Sequence, residues 1–165
     1  MDPVHFTGKE VLDMAVRIEE NGMRFYTDAS KAAKSQQLKD LFSALAEEEA
    51  SHIKTFLELK KALVGSGDST GFDPYIEDAQ QYLKSMADTE VFTNPEAGKD
   101  AARSLKSEEE AVILAIGMEK DSLLFYYELE RMIRESDRKV IEALIDQEKE
   151  HVRKLTNLQK LLFGK

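Results

Sequence analysis

Two Glu-x-x-His motifs, Glu49–His52 and Glu148–His151, and two single glutamates, Glu19 and Glu119, lie in otherwise apolar helical seams of this chain. In the first seam Glu19 follows Leu12 and Ala15 and precedes Gly22, Tyr26 and Ala29; in the second, Glu49 and His52 fall between Leu45 and Phe56. Glu119 falls between Ala115 and Ser122, and Glu148 and His151 between Leu144 and Leu155. Steps of three or four residues keep each set on one side of a helix. A carboxylate in such a seam costs several kcal/mol unless it is paired, protonated or bound to a metal. No lysine or arginine occupies these seams. Metal coordination is therefore the chemistry expected of Glu19, Glu49, His52, Glu119, Glu148 and His151. Glu and His three residues apart project together and can share an ion. Four carboxylates balance two divalent cations. Carboxylate and imidazole donors suit iron or manganese and are compatible with zinc.

The elements that must position these residues are four long amphipathic helices, read from the apolar period. They are expected over about 8–33, 36–64, 107–134 and 137–162. Lys34-Ser35 and Glu135-Ser136 are the expected tight turns, which pairs the helices as two antiparallel hairpins. The glycines from Gly65 to Gly71 break the second helix, Asp73-Pro74 reads as the start of a short helix reaching about Ala87, and Asn94-Pro95 marks another break. A segment of roughly forty residues, 65–106, is too long for a turn and long enough to run the length of a bundle. The fold class expected is all-α: one four-helix domain over 1–165, two hairpins joined by a long crossover containing a short helix. The hairpins read as copies. Ala15, Glu19, Phe25 and Tyr26 recur as Ala115, Glu119, Phe125 and Tyr126, and Glu49 and His52 recur as Glu148 and His151. Each glutamate lies about fifteen residues from its hairpin turn, so at about 1.5 Å per residue the members of each pair are level. Glu20, Glu48 and Glu150 fall off the seams and read as surface charges; His5 reads as uninvolved.

One glutamate from each of two helices with Glu-x-x-His from each of the other two is the di-iron carboxylate pattern of ferritin-like bundles. At these residues the chain resembles the rubrerythrin family of that superfamily. The matching stretches are MAVRIEENGMRFY, LAEEEASHIKTF, AIGMEKDSLLFYYEL and IDQEKEHVRKL, and with the helix layout the resemblance covers nearly the whole sequence. It implies two iron ions, with Glu19 and Glu119 as lone carboxylates, Glu49 and Glu148 bridging, and His52 and His151 terminal. It also implies reduction of peroxide, or of dioxygen, or the oxidation and storage of iron. Two departures stand out. The chain lacks the four-cysteine rubredoxin domain of classical rubrerythrins, so electrons would come from an external donor protein. Ser122 stands where those proteins carry an additional glutamate, which leaves six ligands, a set closer to that of bacterioferritins.

Gly22 and Ser122, small and beside the expected metals, either leave room for the oxidant or permit close helix packing. Tyr26 and Tyr126 are either hydrogen-bond donors to the ligands or core aromatics. Beside the redox reading stand a ferroxidase or iron-storage role and a helical interaction protein whose metals are structural. The net charge of −9 argues against nucleic acid as a partner. With no cysteine in the chain, disulfides and thiol chemistry are excluded. No apolar run approaches a membrane span and no secretory leader is evident, so a cytoplasmic protein is expected. A homodimer is expected, with the crossover as its contact.

Overall fold

Helix starts in this chain are written as Ser/Thr-x-x-Glu. Thr7 Oγ1 accepts from the Glu10 backbone N–H while the Glu10 carboxylate accepts from the Thr7 N–H, a reciprocal capping box. Ser107 Oγ accepts from the Glu110 N–H, while the Glu110 carboxylate accepts from the Lys106 N–H. In the computed structural model, which describes residues 7–65, 77–87 and 96–164, these caps open two of four long helices. They are α1 (Gly8–Ala32), α2 (Gln36–Gly65), α5 (Glu108–Met132) and α6 (Glu135–Phe163), with the shorter α3 (Glu77–Ala87) and α4 (Ala97–Ser104) between the pairs. α6 ends on Gly164, whose φ of 71° is left-handed and suits glycine.

α1 packs along α2 and α5 along α6, giving the two expected hairpins. Two apolar clusters show how they are stacked. One joins Val11, Leu12 and Ile18 of α1 to Phe56 of α2, Phe125 and Leu129 of α5, and Ile141 and Leu144 of α6. The other joins Phe25 and Ala29 of α1 to Leu38, Phe42 and Leu45 of α2, Val112 and Ala115 of α5, and Leu155 of α6. Thus α2 ends at the level of the first cluster and α5 begins at the level of the second, so the connection travels the length of the bundle. α3 contributes Ala79, Leu83 and Met86 to the first cluster, and Ala101, Ala102 and Leu105, in and just beyond α4, flank the second.

Two details differ from the sequence expectation. The crossover holds two helices among the described residues, because α4 is added beside α1. Its Gly98 lies so close to α1 that a Cβ there would stand 2.0 Å from the Asn21 carbonyl oxygen. The second hairpin turns at Ile133-Arg134 rather than Glu135-Ser136. Ile133 N–H closes α5 onto Leu129 O, and Arg134 bonds Asp137, so α6 starts two residues early. The first turn is as expected, and its Lys34 and Ser35 N–H groups both donate to Glu108 of α5, which ties the hairpins together at that end. The breaks at Gly67–Gly71, Asp73-Pro74 and Asn94-Pro95, and His5, lie outside the described residues.

Candidate metal centre

Between the two apolar clusters lies a single polar layer. The periods that place Leu12 and Phe25 in α1 also place Glu19 between them, and the same holds for Glu49 and His52, Glu119, and Glu148 and His151. All six are buried, Glu148 and His151 with 0% exposure. The six sort into two groups of four whose candidate ligand atoms lie within 4.8 Å of one another. One group is Glu19, Glu49, His52 and Glu148; the other is Glu49, Glu119, Glu148 and His151. Glu49 and Glu148 belong to both, and each group adds one lone glutamate and one histidine. The rings of His52 and His151 stack with centroids 5.6 Å apart.

The donor atoms converge and only partly satisfy one another: His52 Nδ1 is in hydrogen-bond geometry with Glu49 and Glu19. His52 Nδ1 stands 2.9 Å from Glu148 Oε1, 3.1 Å from Glu49 Oε2 and 3.3 Å from Glu19 Oε2. His151 Nδ1 stands 3.1 Å from Glu148 Oε2 and 3.5 Å from Glu49 and Glu119. Yet Glu19 Oε1, both Glu148 carboxylate oxygens and His151 Nδ1 are buried without a partner in hydrogen-bond geometry among the described residues. Such orphans call for an explanation. Buried donor atoms crowded together with several left unpartnered fit a set aimed at common cations, and the Glu/His donor set suits two of them.

Without a cation, protons neutralise the cluster. Burial, then the charge of Glu49, raises Glu19 and Glu119 well above the usual carboxylate range. Burial opposes charge on the imidazoles, but Glu148, Glu19 and Glu49 around His52 outweigh it. Glu119, Glu148 and Glu49 do the same around His151, so both histidines are held protonated. Burial likewise opposes charge on Glu49 and Glu148, but the lone glutamates and the imidazoles crowded against them outweigh it and keep both anionic. Two imidazolium ions then offset two carboxylates, and the lone glutamates are neutral.

A small cavity of about 30 Å³ reaches the cluster, lined by Gly22 and Ser122 together with Glu19, Glu49, Glu119 and Tyr26. A Cβ added to Gly22 would make ordinary contact with Glu49 at 3.5 Å. Ser122 Oγ donates to the Met118 carbonyl and so turns back to its own helix. The two tyrosines differ: Tyr26 donates to Glu119, whereas the Tyr126 hydroxyl is buried with no hydrogen-bond partner among the described residues.

Glu48 is part-exposed, as a surface charge should be, yet it also reaches the cluster. Its Oε2 accepts from His151 Nε2 at 2.6 Å, and Gln147 Oε1 stands 2.7 Å from His52 Nε2. The contact of Glu48 with a histidine, and that of Gln147, go beyond the sequence expectation. The signal that could have found them is the repeat. Each lies four residues before a histidine, and the 99-residue offset that pairs Glu49 with Glu148 pairs Glu48 with Gln147. Their contacts cross between hairpins, however, and that only the tertiary arrangement shows. Glu20 and Glu150 make no contact with the cluster among the described residues.

A solved structure from Thermotoga maritima, designated a candidate ferritin-like diiron-carboxylate protein, is similar to this chain over 94% of its length and 96% of that chain. The TM-score is 0.67 at 26% identity. No curated protein matches the sequence. The four-helix bundle with its crossover is thus ferritin-like, and the Glu/His layer is the candidate di-metal site such a bundle holds. Residues 10–162 match the family model of rubrerythrin, and the chain belongs to the rubrerythrin family.

Proposed function

We propose that this chain is a non-haem di-iron oxidoreductase that reduces peroxide or dioxygen, with Glu19, Glu49, His52, Glu119, Glu148 and His151 holding the two irons. The observation that carries this reading is the pair of four-residue groups sharing Glu49 and Glu148, open to a cavity between Gly22 and Ser122. Two irons bound there would supply two electrons to an oxidant one electron at a time from each, and would orient it. Glu49 and Glu148, members of both groups, would serve both ions. Tyr26 holds Glu119 in place. The apolar clusters above and below the polar layer hold the six side chains in a buried setting. Turnover would need a reductant, for which an external donor protein is our proposal. Peroxide consumption by iron-loaded protein, supplied with a reductant, is expected to exceed that of free iron. It should vanish in Glu49→Ala/Glu148→Ala; a rate no higher than free iron would sink the peroxidase reading.

Ser122 favours a second reading, iron oxidation and handling, because the α5 position one turn beyond Glu119 carries a hydroxyl; the other α5 carboxylate lining the cavity, Asp121, belongs to neither ligand group. Ser122→Glu separates the two. If peroxide reduction is limited by that missing ligand, the variant should gain peroxide turnover over the parent chain while retaining two irons. If the parent chain turns over Fe(II) with dioxygen faster than peroxide, and the variant reverses the preference, iron oxidation is the native activity.

A further inference from the structure

We propose, resting on the di-metal reading above, that Glu48 and Gln147 make the two metal positions unequal, the one served by His151 binding its divalent cation more tightly than the one served by His52. Glu48 and Gln147 are matching positions of the internal repeat. Each reaches across to the histidine of the opposite hairpin, at nearly the same distance, 2.6 Å and 2.7 Å. Each places an oxygen on Nε2, which keeps the proton on that nitrogen and turns the Nδ1 lone pair toward the carboxylates. In this respect the two halves are alike. They differ in charge. Gln147 presents a neutral amide oxygen to His52, whereas Glu48 presents a carboxylate to His151. A carboxylate acceptor draws the Nε2 proton more strongly and makes Nδ1 the better donor.

The surroundings keep the difference in place. Lys154 bonds Glu48, at 2.9 Å to Oε1 and 3.3 Å to Oε2, so the lysine takes mainly one oxygen and leaves the other turned onto the imidazole. The position matching Lys154 in the other half is Thr55, whose hydroxyl donates to the Ser51 carbonyl of its own helix. The repeat therefore departs from symmetry at two neighbouring places with one consequence, an anionic partner on one histidine only. Glu48, Gln147 and Lys154 line a surface cleft with Ser51 and Glu150, so substitutions there change the acceptor without repacking the apolar clusters.

The test is an anaerobic titration of metal-free protein with Co(II), followed by absorbance and calorimetry, for the parent chain, Glu48→Gln and Gln147→Glu. Glu48→Gln keeps the acceptor oxygen and removes its charge. One of two binding steps should weaken roughly tenfold and its Co(II) bands should shift toward those of the other step, which stays unchanged. Gln147→Glu should tighten that other step and leave the first alone. The double exchange, Glu48→Gln/Gln147→Glu, should restore two unequal steps. Loss of affinity in both steps for Glu48→Gln, or no change in either variant, would overturn the proposal, since a merely structural role moves both or neither. Two bound Co(II) ions with these failures would leave the di-metal reading standing. No Co(II) uptake by the parent chain would remove both.

Discussion

Tyr26 and Tyr126 occupy matching places in the repeat, but only Tyr26 donates to a carboxylate, Glu119; the Tyr126 hydroxyl has no hydrogen-bond partner among the described residues. Tyr26→Phe should therefore loosen metal binding about tenfold, as loss of a ligand's hydrogen-bond partner typically does, while Tyr126→Phe should change it little. Fe(II) binding isotherms of the two variants check this, and equal effects would contradict it. The proton content of the cluster gives a second expectation. Glu19 and Glu119 are pushed up by burial and by Glu49, and the carboxylates hold His52 and His151 protonated. Two divalent cations must displace those protons, one from each of the four residues. Release should approach four protons per chain, read by pH-stat or by calorimetry in buffers of different ionisation enthalpy, and affinity should fall steeply toward acid. At this scale the six seam residues were legible because a glutamate amid leucines violates an otherwise regular pattern. Glu48 was not, because Glu47-Glu48-Glu49 reads as a charged run, and only packing shows which of its members turns inward.

Gly98 and Gly117 test the elements. α4 approaches α1 so closely that Gly98→Ala would drive a methyl into the Asn21 carbonyl, whereas Gly117, inside α5, has nothing within 4 Å of an added Cβ. Gly98→Ala should cost about 1–3 kcal/mol through overpacking. Gly117→Ala should gain about 0.5–1 kcal/mol from helix propensity. Thermal melts of the metal-free proteins distinguish the two, and a fall for Gly117→Ala would contradict the open space beside it. The four long helices were legible because each sustains its apolar period for six turns or more. α4 was not: eight residues carry little periodic signal, and its place is set by contact with α1. The start of α6 was misplaced by two residues because Arg134 and Asp137 close the turn through side chains that read equally well as loop.

Across the whole molecule, the polar layer divides the apolar interior in two, and its protonation must bear on the stability of the entire bundle. His52 and His151 have folded-state pKa values raised above the ordinary histidine value of 6.5. A raised histidine contributes stability that is fully present below its unfolded pKa and is lost as pH rises through the folded pKa. Glu19 and Glu119, raised above 4.5, act in the same direction: their protonated forms favour the fold, and that contribution fades as pH rises through their folded values. Glu49 and Glu148 are lowered, so what they contribute is present above about 4.5 and is lost only toward strong acid. From neutral to alkaline pH the histidine and lone-glutamate contributions are being lost while the lowered pair stays constant. The melting temperature of the metal-free protein should therefore fall as pH is raised. Bound divalent cations replace the protons with charges that alkali does not remove, and binding to the folded state alone adds stability with cation concentration. The loaded protein should show a higher melting temperature with the alkaline decline flattened or reversed. A chelator should return it to the metal-free curve. Parallel pH profiles for the two forms would mean that the protons and the cations do not share the six side chains of the polar layer.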